Sequence, residues 1–177
     1  MEVLCGAQPG PLGGDGAAML DNTAWADLAL ENVRLVDEGE LNPPVASVAA
    51  PMFRPRVMLV MVTCCYAIGV YGSEDFELMM QEDARLRALC GTRIPDWKRL
   101  KRFRRQNHAM LQCALEETFR GAWSLSSRAR EAASAHPGVR PIEAGDRLPD
   151  PAMGDWIASE AAARIERAMF IDLMASE

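Results

Sequence analysis

From Val57 to Gly72 the chain runs for 16 residues without a charge, as VMLVMVTCCYAIGVYG. This segment limits the fold more than any other, because it has no side to give to water. It falls short of the roughly 20 residues needed to span a bilayer, so it belongs in a protein core. Periodicity alone does not separate a buried helix from a buried strand here, since every side is apolar. The length favours a helix over 57–70, with Gly69 and Gly72 punctuating its end. A chain of 177 residues can bury one good core around such an element and has no room for two large domains.

The flanking sequence reads as further helices. Met and Ala are plentiful and only 6% of the residues are aromatic, a mixture that favours helix over sheet. Asp21 or Asn22 can cap a helix from Thr23 to about Val36, with Trp25, Leu28, Ala29 and Val33 near one face. Pro43, Pro44, Pro51 and Pro55 make residues 37–56 an extended linker. Ser73 is a good N-cap, and Glu74, Asp75 and Glu77 suit the first turn of a helix running to about Gln81. A second short helix, Asp83 to Cys90, stops at Gly91.

Beyond Pro95, Asp96 caps a long helix predicted from Trp97 to about Trp123. Its residues Leu100, Phe103, Met110, Leu111 and Ala114 form one apolar stripe. Residues 132–150 read as loop. Asp150 and Pro151 then read as N-cap and first helical position of an amphipathic helix to about Met174. There Met153, Trp156, Ile157, Ile165, Ala168, Met169 and Leu173 are expected to face inward. The expected fold is all-α: a small helical bundle with a helix-turn-helix-like central unit. In domain terms, 1–20 is a disordered Gly/Pro-rich tail, 21–131 the helical domain and 132–150 a loop. Residues 151–177 form a C-terminal helix that packs on the domain or on a partner.

The net charge of −6 argues, as an average, against a nucleic-acid binder. Its distribution argues otherwise. Residues 1–51 carry eight acids and one Arg, residues 52–131 carry fourteen bases and nine acids, and residues 132–177 carry eight acids and four bases. The densest stretch is RIPDWKRLKRFRR, residues 93–105, with seven bases and one acid. At 100° per residue, Lys98, Lys101, Arg102 and Arg105 gather nearly opposite the apolar stripe. One reading is phosphate contact with release of counterions. The other is a solvated face paired with acids such as Glu82, Asp83 and Glu116. No acid interrupts the sequence from Trp97 to Leu115, which favours the first, because a solubility face normally mixes both signs. The candidate DNA-binding residues are Arg93, Lys98, Arg99, Lys101, Arg102 and Arg105.

Other chemistry finds little footing. The five cysteines, Cys5, Cys64, Cys65, Cys90 and Cys113, contain no C-x-x-C pair and do not form a disulfide framework. Reduced thiols and a cytoplasmic location are expected. His108 and His136 lack further ligands at metal spacing. There is no nucleophile elbow and no phosphate-binding Gly-rich loop. No catalytic residue, metal, cofactor, small-molecule substrate or membrane contact is expected.

Residues 55–105 carry a family likeness. P-R-V-M-L at 55–59 leads into Y-A-I-G-V at 66–70. Ser73, Phe76-Glu77, Glu82-Asp83, Arg87, Gly91, Pro95-Asp96 and L-K-R-F-R-R at 100–105 follow in order. This order and spacing resemble the N-terminal domain of InsH-type insertion-sequence transposases. The resemblance implies a helical domain that precedes an RNase H-like nuclease and helps recognise transposon-end DNA or assemble the transposase. The family usually has basic residues around the Ser73 turn, where this chain has Tyr71, Glu74 and Asp75. Nothing after Arg120 reads as the strand bearing Asp-Gly with which the nuclease domain begins.

Two functions are therefore carried forward. The first is a stand-alone, transposase-related DNA-binding or assembly domain, not an enzyme, acting as a regulator of transposition. Its partners would be double-stranded DNA and either a transposase or a second copy of itself as a homodimer. The alternative is a helical protein-interaction module with no DNA binding, using the acidic flanks and the C-terminal helix.

Overall fold

In the computed structural model, which describes residues 20–34, 36–42, 54–90, 95–134 and 151–175, the uncharged run is a helix, α2, at Pro55–Ala67. All ten residues from Met58 to Ala67 are buried. Pro55 opens this helix instead of extending the linker before it, because its missing N–H and fixed φ cost nothing at the first helical position. The exit is a Schellman turn: Val70 N–H bonds Cys65 O at 2.8 Å and Gly69 N–H bonds Tyr66 O at 3.2 Å. That turn requires φ of +89° at Gly69, which a side chain would strain.

The described residues form seven α-helices and one 3₁₀ turn, with no strand among them. The protein is an all-α small bundle. α1, Asn22–Val33, and α6, His108–Ser134, both pack on α2 and on each other. Asp21 caps α1 by accepting from Ala24 N–H at 2.8 Å, and Trp25 meets Phe119 of α6 edge to face. α7, Pro151–Met174, packs along α6. A second group is α3, Ser73–Glu82, α4, Ala84–Cys90, and α5, Trp97–Gln106, in which α3 touches both of the others. No helix of the described residues is long and apolar enough to cross a membrane. Apart from Leu20, the expected N-terminal tail lies outside the described residues, as do Gly91, Arg93, His136 and Asp150.

Three expectations are corrected. First, the long helix predicted from Trp97 is two helices that meet at Asn107, and the second continues to Ser134. Asn107 is buried with φ −120° and ψ 30°. Its amide donates to Asn42 O and to Phe103 O, each at 3.0 Å, while its Oδ1 accepts from Asn42 N–H at 2.7 Å. The bend also frees Gln106 O to accept from Asn42 Nδ2 at 3.0 Å. Second, Gly72, not Ser73, is the N-cap of α3, and Ser73 turns its hydroxyl inward. Third, Met169 and Leu173 face outward, at 41% and 61% exposure. The buried line on α7 runs through Ile157, Ala161, Ile165, Ala168 and Asp172, and Met169 and Leu173 each sit one residue, or 100°, beyond it.

Candidate nucleic-acid interface

α5 starts where Asp96 accepts from Arg99 N–H at 3.0 Å. Its inward side is Leu100, Phe103 and Arg104. Its outward side brings together four of the six predicted cations. Lys98, Arg102 and Arg105 are exposed and Lys101 is half-buried beside them. With Trp97 and Gln106 these four line an open groove of about 450 Å³. Among the described residues, no carboxylate pairs with Lys98, Arg102 or Arg105. Glu116, one of the acids weighed against this stripe, instead pairs with Arg120 along its own helix. Cations that share one helix face sum to a positive potential that attracts polyanions.

Trp97 organises the near end of the groove. Lys98 Nζ lies 5.3 Å and Lys101 Nζ 4.7 Å from the indole ring centre, within the range of a cation–π contact. Lys101 also donates to the backbone carbonyl of Asp172 at 2.8 Å, so part of its role is to hold the last turns of α7. Arg99 is drawn away from the stripe, its Nε pairing with Asp96 at 3.2 Å. Arg93, the sixth cation, lies outside the described residues.

Arg104 belongs to the same basic run but to a different site. It is 4% exposed and forms an ion pair with Asp172. Its guanidinium also donates to Tyr66 Oη at 2.5 Å, Ser73 Oγ at 3.0 Å and Tyr71 O at 3.3 Å. Ser73 donates to Asp172 through both its hydroxyl, at 2.8 Å, and its N–H, at 3.1 Å. Burial pushes the Tyr66 hydroxyl up to about 12, against the lowering effect of Arg104. The space between Val62, Tyr66, Tyr71, Ser73, Phe76, Leu100 and Arg104 has no room for a water molecule. This cluster therefore ties α2, α3, α5 and α7 together. Sequence reasoning passed over it, although a signal existed: Arg104 follows Phe103 on the apolar side of α5, and Asp172 lies four residues after Ala168 on the buried line of α7.

Arg164 makes a second tie. Its Nη1 donates to Ala67 O and to Tyr66 O, each at 2.7 Å, the latter already accepting from Gly69 N–H, and so ties α7 to the end of α2. Among the described residues, no three His, Cys, Asp or Glu side chains stand together as metal ligands. The chain has no match among protein-family models, curated proteins or solved structures. The likeness to the InsH-type N-terminal domain rests on its motifs alone.

Proposed function

We propose that the outward face of α5 binds the phosphate backbone of duplex DNA, and that the chain acts as a transposase-related DNA-binding or assembly domain in the regulation of transposition. The observation that carries this reading is the groove of Lys98, Lys101, Arg102 and Arg105, three of which have no carboxylate partner among the described residues. A same-sign stripe does little for folding, because exposed charges contribute little stability even when paired. Its use is better sought in binding. The motif likeness points to DNA among polyanions. The reading assigns these residues a binding role and no nuclease step.

Lys101 has a structural duty, so the test uses Lys98→Ala, Arg102→Ala and Arg105→Ala combined. Labelled duplex is titrated and read by fluorescence anisotropy. The wild-type Kd should fall in the non-specific range of about 10⁻⁴–10⁻⁶ M. Three phosphate contacts would weaken it roughly 40-fold between ~50 and ~200 mM salt. The triple variant should lose binding while keeping its helicity. Equal binding by both proteins removes α5 from the interface. No binding by either in low salt favours the alternative, a helical protein-interaction module. Supercoiled plasmid should stay intact with the protein and Mg²⁺, and metal-dependent nicking that copurifies with the chain would contradict the absence of a nuclease step.

A further inference from the structure

The last turns of α7 expose four large apolar side chains on a helix whose other side is packed on α6: Phe170 and Leu173 at 61%, Met174 at 55% and Met169 at 41%. A cluster of this kind on a surface helix marks an interaction site. Its occupant is indicated by what stands beside it. At 100° per residue, taking Phe170 as zero, Ala163 lies at about +20° and Met174 at about +40°, with Leu173 at about −60°. Glu166 and Arg167 are exposed and fall at about −40° and +60°, on opposite sides of this line. The face therefore carries its own complement in charge on either side of an apolar line.

We propose that this chain self-associates through α7, two copies pairing side by side and parallel about a twofold axis. In that arrangement Phe170 meets Phe170 of the partner subunit and Ala163 meets Ala163 of the partner subunit along the seam. On each side Glu166 faces Arg167 of the partner subunit, and Leu173 faces Met174 of the partner subunit. Twofold symmetry repeats each contact, as an isologous interface requires. Antiparallel pairing would instead set like flank against like flank and so take Glu166 away from Arg167 of the partner subunit. The Arg167 guanidinium lies 5.4 Å from the centre of the Tyr71 ring, which places it at the edge of the patch. Since Asp172 binds both Arg104 and Lys101 of α5, a dimer through α7 also carries two basic grooves. The self-association itself rests only on α7 and is independent of DNA binding.

The test is sedimentation of the full chain across concentration. Wild type should dimerise with a Kd between about 1 μM and 1 mM, as suits a small interface. Phe170→Glu should be monomeric with unchanged helicity. Glu166→Arg and Arg167→Glu should each weaken the dimer about tenfold or more, because each turns two attractive pairs repulsive. Mixing these two charge variants in equal amounts should restore it, since every repulsive pair becomes an attractive one. Wild type that stays monomeric throughout, Phe170→Glu that dimerises like wild type, charge variants that dimerise like wild type, or a mixture that does not recover would each overturn the proposal.

Discussion

Arg104 of α5 and Asp172 of α7 form an ion pair with side chains only 4% and 6% exposed. Each charge is desolvated and depends on the other. Removing one partner leaves a buried charge unpaired, which costs about 3–5 kcal/mol, whereas replacing both by apolar groups of similar volume is often neutral. Arg104→Ala and Asp172→Ala should therefore each destabilise the fold by that amount. Arg104→Met with Asp172→Leu should cost far less than the two single changes together. Denaturant unfolding of the four proteins checks this. Additive losses would show that the pair is not coupled.

Thr63 lies fully buried in α2, and its Oγ1 has no hydrogen-bond partner among the described residues. A buried hydroxyl without a partner costs about 1–3 kcal/mol. Valine has the same shape and a similar helix propensity. Thr63→Val should raise the unfolding midpoint without changing the denaturant slope, and a lowered midpoint would mean that the hydroxyl contributes a contact.

Burial, and then the charge of Asp83, push the Cys64 thiol from 9.0 up to about 12. The folded state thus keeps this proton at pH values where the unfolded chain releases it. The stability this contributes is complete below pH 9 and is lost as pH rises towards 12. The slope contributed by the thiol between those limits is at most about 1.4 kcal/mol per pH unit. Tyr66, raised from 10.0 to about 12, adds in the same direction. Denaturant titrations from pH 8 upward should show Cys64→Ala with a shallower decline than wild type, whatever its absolute stability. At pH 8, alkylation mapped by mass spectrometry should label the exposed Cys113 and spare the buried Cys64 and Cys65.

Met61 and Ile68 belong to the same apolar run but not to the same environment. Met61 is fully buried, and Ile68 is half-buried at the C-cap of α2. Met61→Asp should give insoluble protein, because the core has no partner for the charge. Ile68→Asp should remain soluble with a lowered unfolding midpoint, because its carboxylate can reach water at the helix end. Expression and solubility of the two variants side by side test the difference.

Much of this was legible locally. The caps at Asp21 and Asp96 and the start of α7 at Pro151 depend on residues within one turn of each other. The depth of α2 followed from having no polar side. The outward gathering of Lys98, Lys101, Arg102 and Arg105 followed from their angles on a helix whose opposite side is apolar.

What escaped depends on contacts between distant segments. No local signal breaks the helix at Asn107, because the bonds that compensate the bend come from Asn42. Seven bases in residues 93–105 look alike in sequence, yet Arg104 is buried, Arg99 is tied to Asp96 and Lys101 is shared with α7.

By itself the sequence determined the helical class, the buried centre and the sign of the α5 face, because propensity, capping and periodicity act over a few residues. The tertiary structure alone decided that the charges on the buried faces of α5 and α7 meet each other. The outcome depends on whether Asp172, reaching from the far end of the chain, arrives beside Arg104, and helical periodicity carries no information about a partner on another helix. That pairing lets Asp172 stay on the buried line of α7 beside Ile165 and Ala168, while Met169 and Leu173, which were expected in the core, lie 100° beyond that line and face solvent.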